Sequence, residues 1–138
     1  MFKYIHKLGL GTAQWGLDYG ISNTAGKSSK KEVRKILELA SSAGIGIIDT
    51  ASIYGDSEKI IGKSNLNEFK IVTKTNPSLI GPNKTINTSF FESLDNLGLK
   101  KIYGLLLHNC DEIFSRDSKT KINELMDLKN LGYVSKIG

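Results

Sequence analysis

Ile45-Gly46-Ile47-Ile48-Asp49, Lys70-Ile71-Val72-Thr73-Lys74 and Leu105-Leu106-Leu107-His108 share one layout: an apolar run that closes on an ionisable side chain. A charged group that ends a buried strand costs free energy unless it is paired or used. Three such endings in register, with Tyr54 just beyond the first, make a candidate catalytic cluster. Their spacing is that of successive βα units, which places them at one mouth of a parallel sheet.

Working outward, strand and helix patterns alternate. Leu8 to Ala13 reads as a first short strand, preceded by a small hairpin over Phe2 to Lys7. Ser29-Lys30-Lys31-Glu32 fits a capping box. The helix it opens carries Val33, Ile36, Leu37 and Ala40 on one stripe, and Gly44 ends it. The strands that follow are expected at Ile45 to Asp49, Phe69 to Lys74, Tyr103 to His108 and Val134 to Ile137. Helices are expected around Ser57 to Lys63, from about Asn83 to Leu97, and from about Lys119 to Asn130. Such alternation argues for parallel βαβ units covered by helices.

Two architectures fit. One is a doubly wound sheet; the other is the first part of an eight-unit barrel. A closed barrel of that type needs about 250 residues, so 138 residues cannot form a complete one. Both folds carry functional residues beyond the carboxyl ends of strands.

Composition narrows the partners. The chain has the size of one domain, and its 39% hydrophobic content supplies a core. The amino end carries charge throughout, unlike a secretion signal, and no apolar run approaches a membrane span. The single cysteine, Cys110, excludes a disulfide framework and a cysteine-based zinc site. No metal site is expected. These features describe a soluble cytoplasmic α/β protein. The net charge of +5 could attract an anion. Its densest group, Lys27, Lys30, Lys31, Arg34 and Lys35, surrounds one amphipathic helix, so no nucleic-acid partner is expected.

Gly9-Leu10-Gly11-Thr12-Ala13-Gln14 is a poor dinucleotide fingerprint, since Gln14 replaces the third glycine and no helix is expected to begin there. Gly11-Thr12 reads equally as a ligand wall or a tight turn. Asp49 alone could be a turn former. Tyr54, five residues on, brings a phenol whose ordinary pKa near 10 is too high for efficient proton transfer without a nearby cation. Lys74 can supply that cation, and Asp49 can pair with Lys74 and orient it. His108 alone would be a structural histidine; beside the other three, it can hydrogen-bond a substrate oxygen.

These four residues resemble the catalytic tetrad of the aldo-keto reductases, (β/α)8-barrel oxidoreductases that use NADPH or, less often, NADH. Gly9-Leu10-Gly11-Thr12-Ala13-Gln14-Trp15-Gly16 looks like the family's first strand and cofactor-facing loop. Ile48-Asp49-Thr50-Ala51-Ser52-Ile53-Tyr54-Gly55, with Ser57-Glu58 and Ile61-Gly62, matches its best-known signature. Ile71 to Lys74 fits the lysine strand, Leu105 to His108 the histidine strand, and Phe90-Phe91-Glu92-Ser93-Leu94 the serine-rich helix before it.

By that resemblance Tyr54 is the proton donor in carbonyl reduction, Lys74 paired with Asp49 activates it, and His108 orients the carbonyl. Gly11, Thr12 and Asp49 would border the cofactor; Trp15, Tyr54 and His108 would face a small carbonyl substrate. Trp15 reads almost equally as an aromatic that packs the barrel mouth. Leu17-Asp18-Tyr19-Gly20-Ile21 with Gly26-Lys27 looks like a bacterial branch associated with sugar or surface-polysaccharide metabolism.

The resemblance covers nearly all of this chain but about the first half of a family member. Residues 1–138 are therefore expected to form an incomplete barrel domain, about β1 to β5, a fragment without the later strands that hold most of the cofactor. Such an open arc has two unpaired edges and is expected to bind NADPH poorly and turn over slowly. The competing reading is a small doubly wound signalling or interaction domain with strand order 2-1-3-4-5.

Overall fold

The computed structural model describes residues 4–76 and 85–138. Five strands form one parallel sheet: β1 (Leu10–Gly11), β2 (Ile47–Asp49), β3 (Lys70–Thr75), β4 (Ile102–Leu107) and β5 (Val134–Ile137). Among the described residues, five α-helices accompany them: α1 (Ala13–Gly16), α2 (Lys30–Ala43), α3 (Ser57–Ile61), α4 (Ile86–Leu97) and α5 (Ser118–Asn130). Each strand pairs with the next in sequence, in the order β1-β2-β3-β4-β5. A doubly wound sheet reverses its strand order at a switch point; this sheet never does. The fold is an arc of a β/α barrel rather than the 2-1-3-4-5 alternative.

Most elements form where their local signals lie. Ser29 Oγ accepts from the Glu32 amide at 3.2 Å while Glu32 Oε2 accepts from the Ser29 amide at 2.8 Å, closing the capping box of α2. Gly44 ends that helix with φ +86°, and Gly98 ends α4 with φ +64°, values that favour a residue without Cβ. Thr85 caps α4; the earlier start expected near Asn83 lies outside the described residues.

The amino end differs from expectation. Ile5–Lys7 is a 3-10 turn in place of the hairpin, with Phe2 and Lys3 outside the described residues. β1 is only two residues long, and at Ala13 the chain enters the unexpected short helix α1.

Alternation along the strands divides the core from the site. Ile48, Ile71, Thr73 and Leu105 are buried on the helix-covered face. Val33 and Leu37 of α2, Ile60 and Ile61 of α3, Phe90, Leu94 and Leu97 of α4, and Leu125 and Leu128 of α5 join the same apolar cluster. Asp49, Val72 and Lys74, which alternate with them, line the inside of the arc.

The register sets where the strand ends fall. Asp49 pairs with Val72, and Lys74 pairs with Leu106. The three ionisable endings are thus not level: each lies two residues further along its strand than the one before. Staggered register is what the strand tilt of a barrel requires.

Candidate active site

Asp49 ends β2, Lys74 is the fifth residue of β3, and His108 follows β4 directly. Strand-to-strand backbone bonds fix all three. Thr50 donates to the Val72 carbonyl at 2.9 Å, and the Ser52 amide and hydroxyl donate to the Lys74 carbonyl at 2.9 and 3.1 Å. The His108 amide donates to the Thr75 carbonyl at 2.9 Å. The stagger therefore does not disperse the side chains.

Lys74 Nζ donates to Asp49 Oδ1 at 2.7 Å, to Asp49 Oδ2 at 2.6 Å and to the Thr50 carbonyl at 3.1 Å. Three donors are all that an ammonium carries, so the cation is fully engaged. The Lys74 side chain is 16% exposed and that of Asp49 44%; the pair sits at the edge of solvent. Lys74 Nζ also lies 5.5 Å from the centre of the Tyr54 ring. The Tyr54 and His108 rings meet edge to face, their centres 5.8 Å apart. Asp49, Tyr54, Lys74 and His108 are thus brought together.

Burial, and then the positive Lys74, push the His108 imidazole below its ordinary pKa, while Asp49 partly opposes the shift. The ring is therefore neutral at neutral pH. Its Nδ1 is buried and has no hydrogen-bond partner among the described residues. Because the folded value lies below the unfolded one, near 6.5, the unfolded chain takes up the proton first. The stability this group contributes is complete above the unfolded value and is lost as pH falls toward the folded one. His108→Gln should flatten that part of the decline in thermal stability between about pH 7.5 and 5.5. Parallel melting curves for the two proteins across this range would contradict the assignment.

The Tyr54 loop is seated on backbone contacts. Tyr54 donates its amide to the Ala51 carbonyl at 3.0 Å and accepts from the Ser57 amide at 3.1 Å. Gly16 of α1 touches this loop so closely that an added Cβ would lie 1.7 Å from the Tyr54 carbonyl oxygen. Gly55 has φ +56°, and its own Cβ position is blocked by the Gly16 carbonyl at 2.5 Å. Beneath the loop, the Ser57 hydroxyl donates to the Thr12 carbonyl at 3.1 Å and lies 3.3 Å from Thr50 Oγ1. Gly16, Thr50 and Ser57 stand within the stretches that resemble the family, but the sequence alone assigns none of them this supporting role. The signal for Gly16 was a glycine directly after an aromatic residue in a loop that must meet the signature segment.

Gly11, Thr12, Asp49 and Tyr54 border a cavity of about 250 Å³, with Ala13, Gln14 and Tyr19. Gly11 is open to it, since nothing lies within 4 Å of an added Cβ. Thr12 is fully buried, and its hydroxyl donates to the Asp49 carbonyl at 3.1 Å. Trp15 behaves differently from the other expected site residues. It is 4% exposed, belongs to the apolar core and is not part of the cavity wall, because α1 turns its ring inward. Two larger clefts, about 390 and 440 Å³, lie along the outer helices away from Asp49, Lys74 and His108.

After His108, the 3-10 turn Cys110–Phe114 is tied to α5 by a buried ion pair between Lys121 and Glu112. Lys121 also lies 3.0 Å from Asp117. No helix among the described residues is long and apolar enough to cross a membrane.

A staggered parallel arc that gathers a Lys–Asp pair, a tyrosine and a histidine at its strand ends is the fold of a partial β/α barrel. The model of the aldo/keto reductase family matches residues 7–138, and the chain belongs to that family. Among solved structures, a Pseudomonas aeruginosa protein assigned to the aldo-keto reductases is 26% identical, with a TM-score of 0.73 over 94% of this chain and 53% of its own. A Bombyx mori aldo-keto reductase in complex with NADP is 25% identical, with a TM-score of 0.68 over 95% and 45%. A Klebsiella pneumoniae aldo-keto reductase in complex with NADPH shares the fold at 21% identity, with a TM-score of 0.71 over 94% and 43%. The chain spans about half the length of these structures. No curated protein sequence matched it.

Proposed function

We propose that residues 1–138 are the amino-terminal part of one barrel domain and carry the proton-transfer centre of an NAD(P)H-dependent aldehyde or ketone reductase. The observation that carries this reading is the Lys74 ammonium, bonded to both oxygens of Asp49 and 5.5 Å from the Tyr54 ring centre.

The cavity beside Tyr54 fits one end of the cofactor. Its open Gly11 wall admits a flat ring close to the backbone. Among the described residues, no lysine or arginine lines it, so it suits the nicotinamide end rather than the phosphates. Gly11 and Asp49 would border that ring, and Thr12 would act indirectly by fixing the Asp49 carbonyl. NAD(P)H, when bound, supplies the hydride to the carbonyl carbon.

The chain's own residues handle the oxygen. Tyr54 donates its hydroxyl proton as negative charge develops there, a contribution of about 10²- to 10⁴-fold for a well-placed acid. Lys74 stabilises the phenolate left behind, and Asp49 holds that cation in place. His108, neutral and with its proton on Nε2, donates a hydrogen bond to the same oxygen and aligns the carbonyl. Trp15 serves the site as packing beneath the mouth. Tyr19, exposed on the cavity rim, lies in the loop that resembles the sugar-associated branch, which favours a polar, sugar-related carbonyl.

NADPH-dependent aldehyde reduction tests the reading. A version extended to barrel length, with the second half of a related reductase after residue 138, should turn over, while the 138-residue chain should be slow. An extended version that binds NADPH yet reduces no aldehyde contradicts it.

A further inference from the structure

Glu58 lies on α3, four residues after Tyr54, and is 3% exposed. Its carboxyl sits where α3, β3 and α4 meet. Thr73 Oγ1 donates to Glu58 Oε1 at 2.7 Å, and the side chains of Ser93 and Asn96 on α4 also hydrogen-bond it. The helices are close here: a Cβ on Gly62 would fall 2.3 Å from the Asn96 carbonyl oxygen. Thr73 immediately precedes Lys74 and points to the opposite face of β3.

We propose that Glu58 is a positioning residue: by gripping Thr73 on the helix-covered face of β3, it fixes the strand end that aims Lys74 at Asp49. The proposal rests on the reading of Lys74 given above, but its geometry can be tested without turnover.

A buried carboxyl is costly unless its acceptor sites are used. Burial pushes Glu58 above the ordinary carboxylate range, and the bonds from Thr73, Ser93 and Asn96 hold it back. A carboxylate offers about four lone-pair sites, whereas a glutamine would turn an amide donor toward groups that themselves donate. Apolar packing alone would not call for such a group. The three donors meet at one carboxyl, and only Thr73 is directly bonded in the chain to a tetrad residue.

Nitrogen-15 NMR of the Lys74 ammonium in this chain reads the link directly, because a fully hydrogen-bonded ammonium exchanges its protons with water slowly. Thr73→Val, which deletes the donor and little else, should speed that exchange about ten-fold. Thr73→Ser, which keeps the hydroxyl, should restore it to within about two-fold. Glu58→Gln should behave like Thr73→Val. Leu128→Val, a core change on α5, should lower the melting temperature without altering Lys74 exchange. Unchanged exchange in Thr73→Val overturns the proposal, whether or not Glu58→Gln folds. So does an equal acceleration in Leu128→Val, or wild-type exchange as fast as that of exposed lysines. With no substrate or cofactor in the sample, failure here is distinct from failure of the carbonyl-reduction reading.

Discussion

Tyr54→Phe in the barrel-length version is expected to lower carbonyl reduction by about 10²- to 10⁴-fold, with NADPH affinity largely retained. The substitution removes one oxygen and keeps the ring. The ring is what meets His108 edge to face and stands near Lys74, so the loop should hold its place. Loss of turnover then reports the missing proton, not a displaced segment. Steady-state kinetics with a fluorescence titration of NADPH separates the two effects. Near-unchanged turnover would remove Tyr54 from the chemistry, and a matching loss of cofactor affinity would make it a binding residue.

Gly16→Ala is expected to damage stability and site together, although Gly16 carries no functional group. Its Cβ would stand 1.7 Å from the Tyr54 carbonyl oxygen and 2.6 Å from the Ser57 amide nitrogen. Both obstacles are backbone, so neither can rotate away as a side chain would. Overpacking of this kind costs about 1–3 kcal/mol and sometimes more. The strain is relieved by moving α1 from the Tyr54 loop. A shift of about 1 Å at the phenol is worth about 10²-fold in rate. Thermal unfolding and turnover of the same preparation should both fall. A variant that melts within about 1 °C of wild type and turns over normally would show that the close approach is not needed.

The parts of this fold that could be read from sequence are those dictated by local pattern. The apolar runs through Ile48, Ile71 and Leu105 announce buried strands, and Ser29 with Glu32 and Gly44 brackets α2. The convergence of Asp49, Tyr54, Lys74 and His108 was legible because each charge ends a run whose spacing implies parallel strands. What was illegible depends on long-range geometry. Strand order, which separates a barrel arc from a doubly wound sheet, is a property of pairing and leaves no mark on any one strand. The two-residue stagger from Asp49 to Lys74 to His108 arises from barrel tilt, so the endings were read as level. α1 is too short to show a period, and the inward turn of Trp15 was hidden with it. Glu58 stands in the sequence as part of the matched signature with no role of its own, because its partners come from β3 and from α4.

The assignment of the tetrad as a carbonyl-reducing centre is tested most directly by following a label. The barrel-length version is incubated with an aldehyde and NADPH carrying deuterium at its transferable position, and the alcohol is examined by mass spectrometry. Deuterium on the carbinol carbon, formed by the wild type and at a rate at least about a hundredfold lower by Tyr54→Phe, is the expected result. Absence of labelled alcohol from a folded, NADPH-bound protein across a range of aldehydes and ketones, or equal labelling by the two proteins, would contradict it.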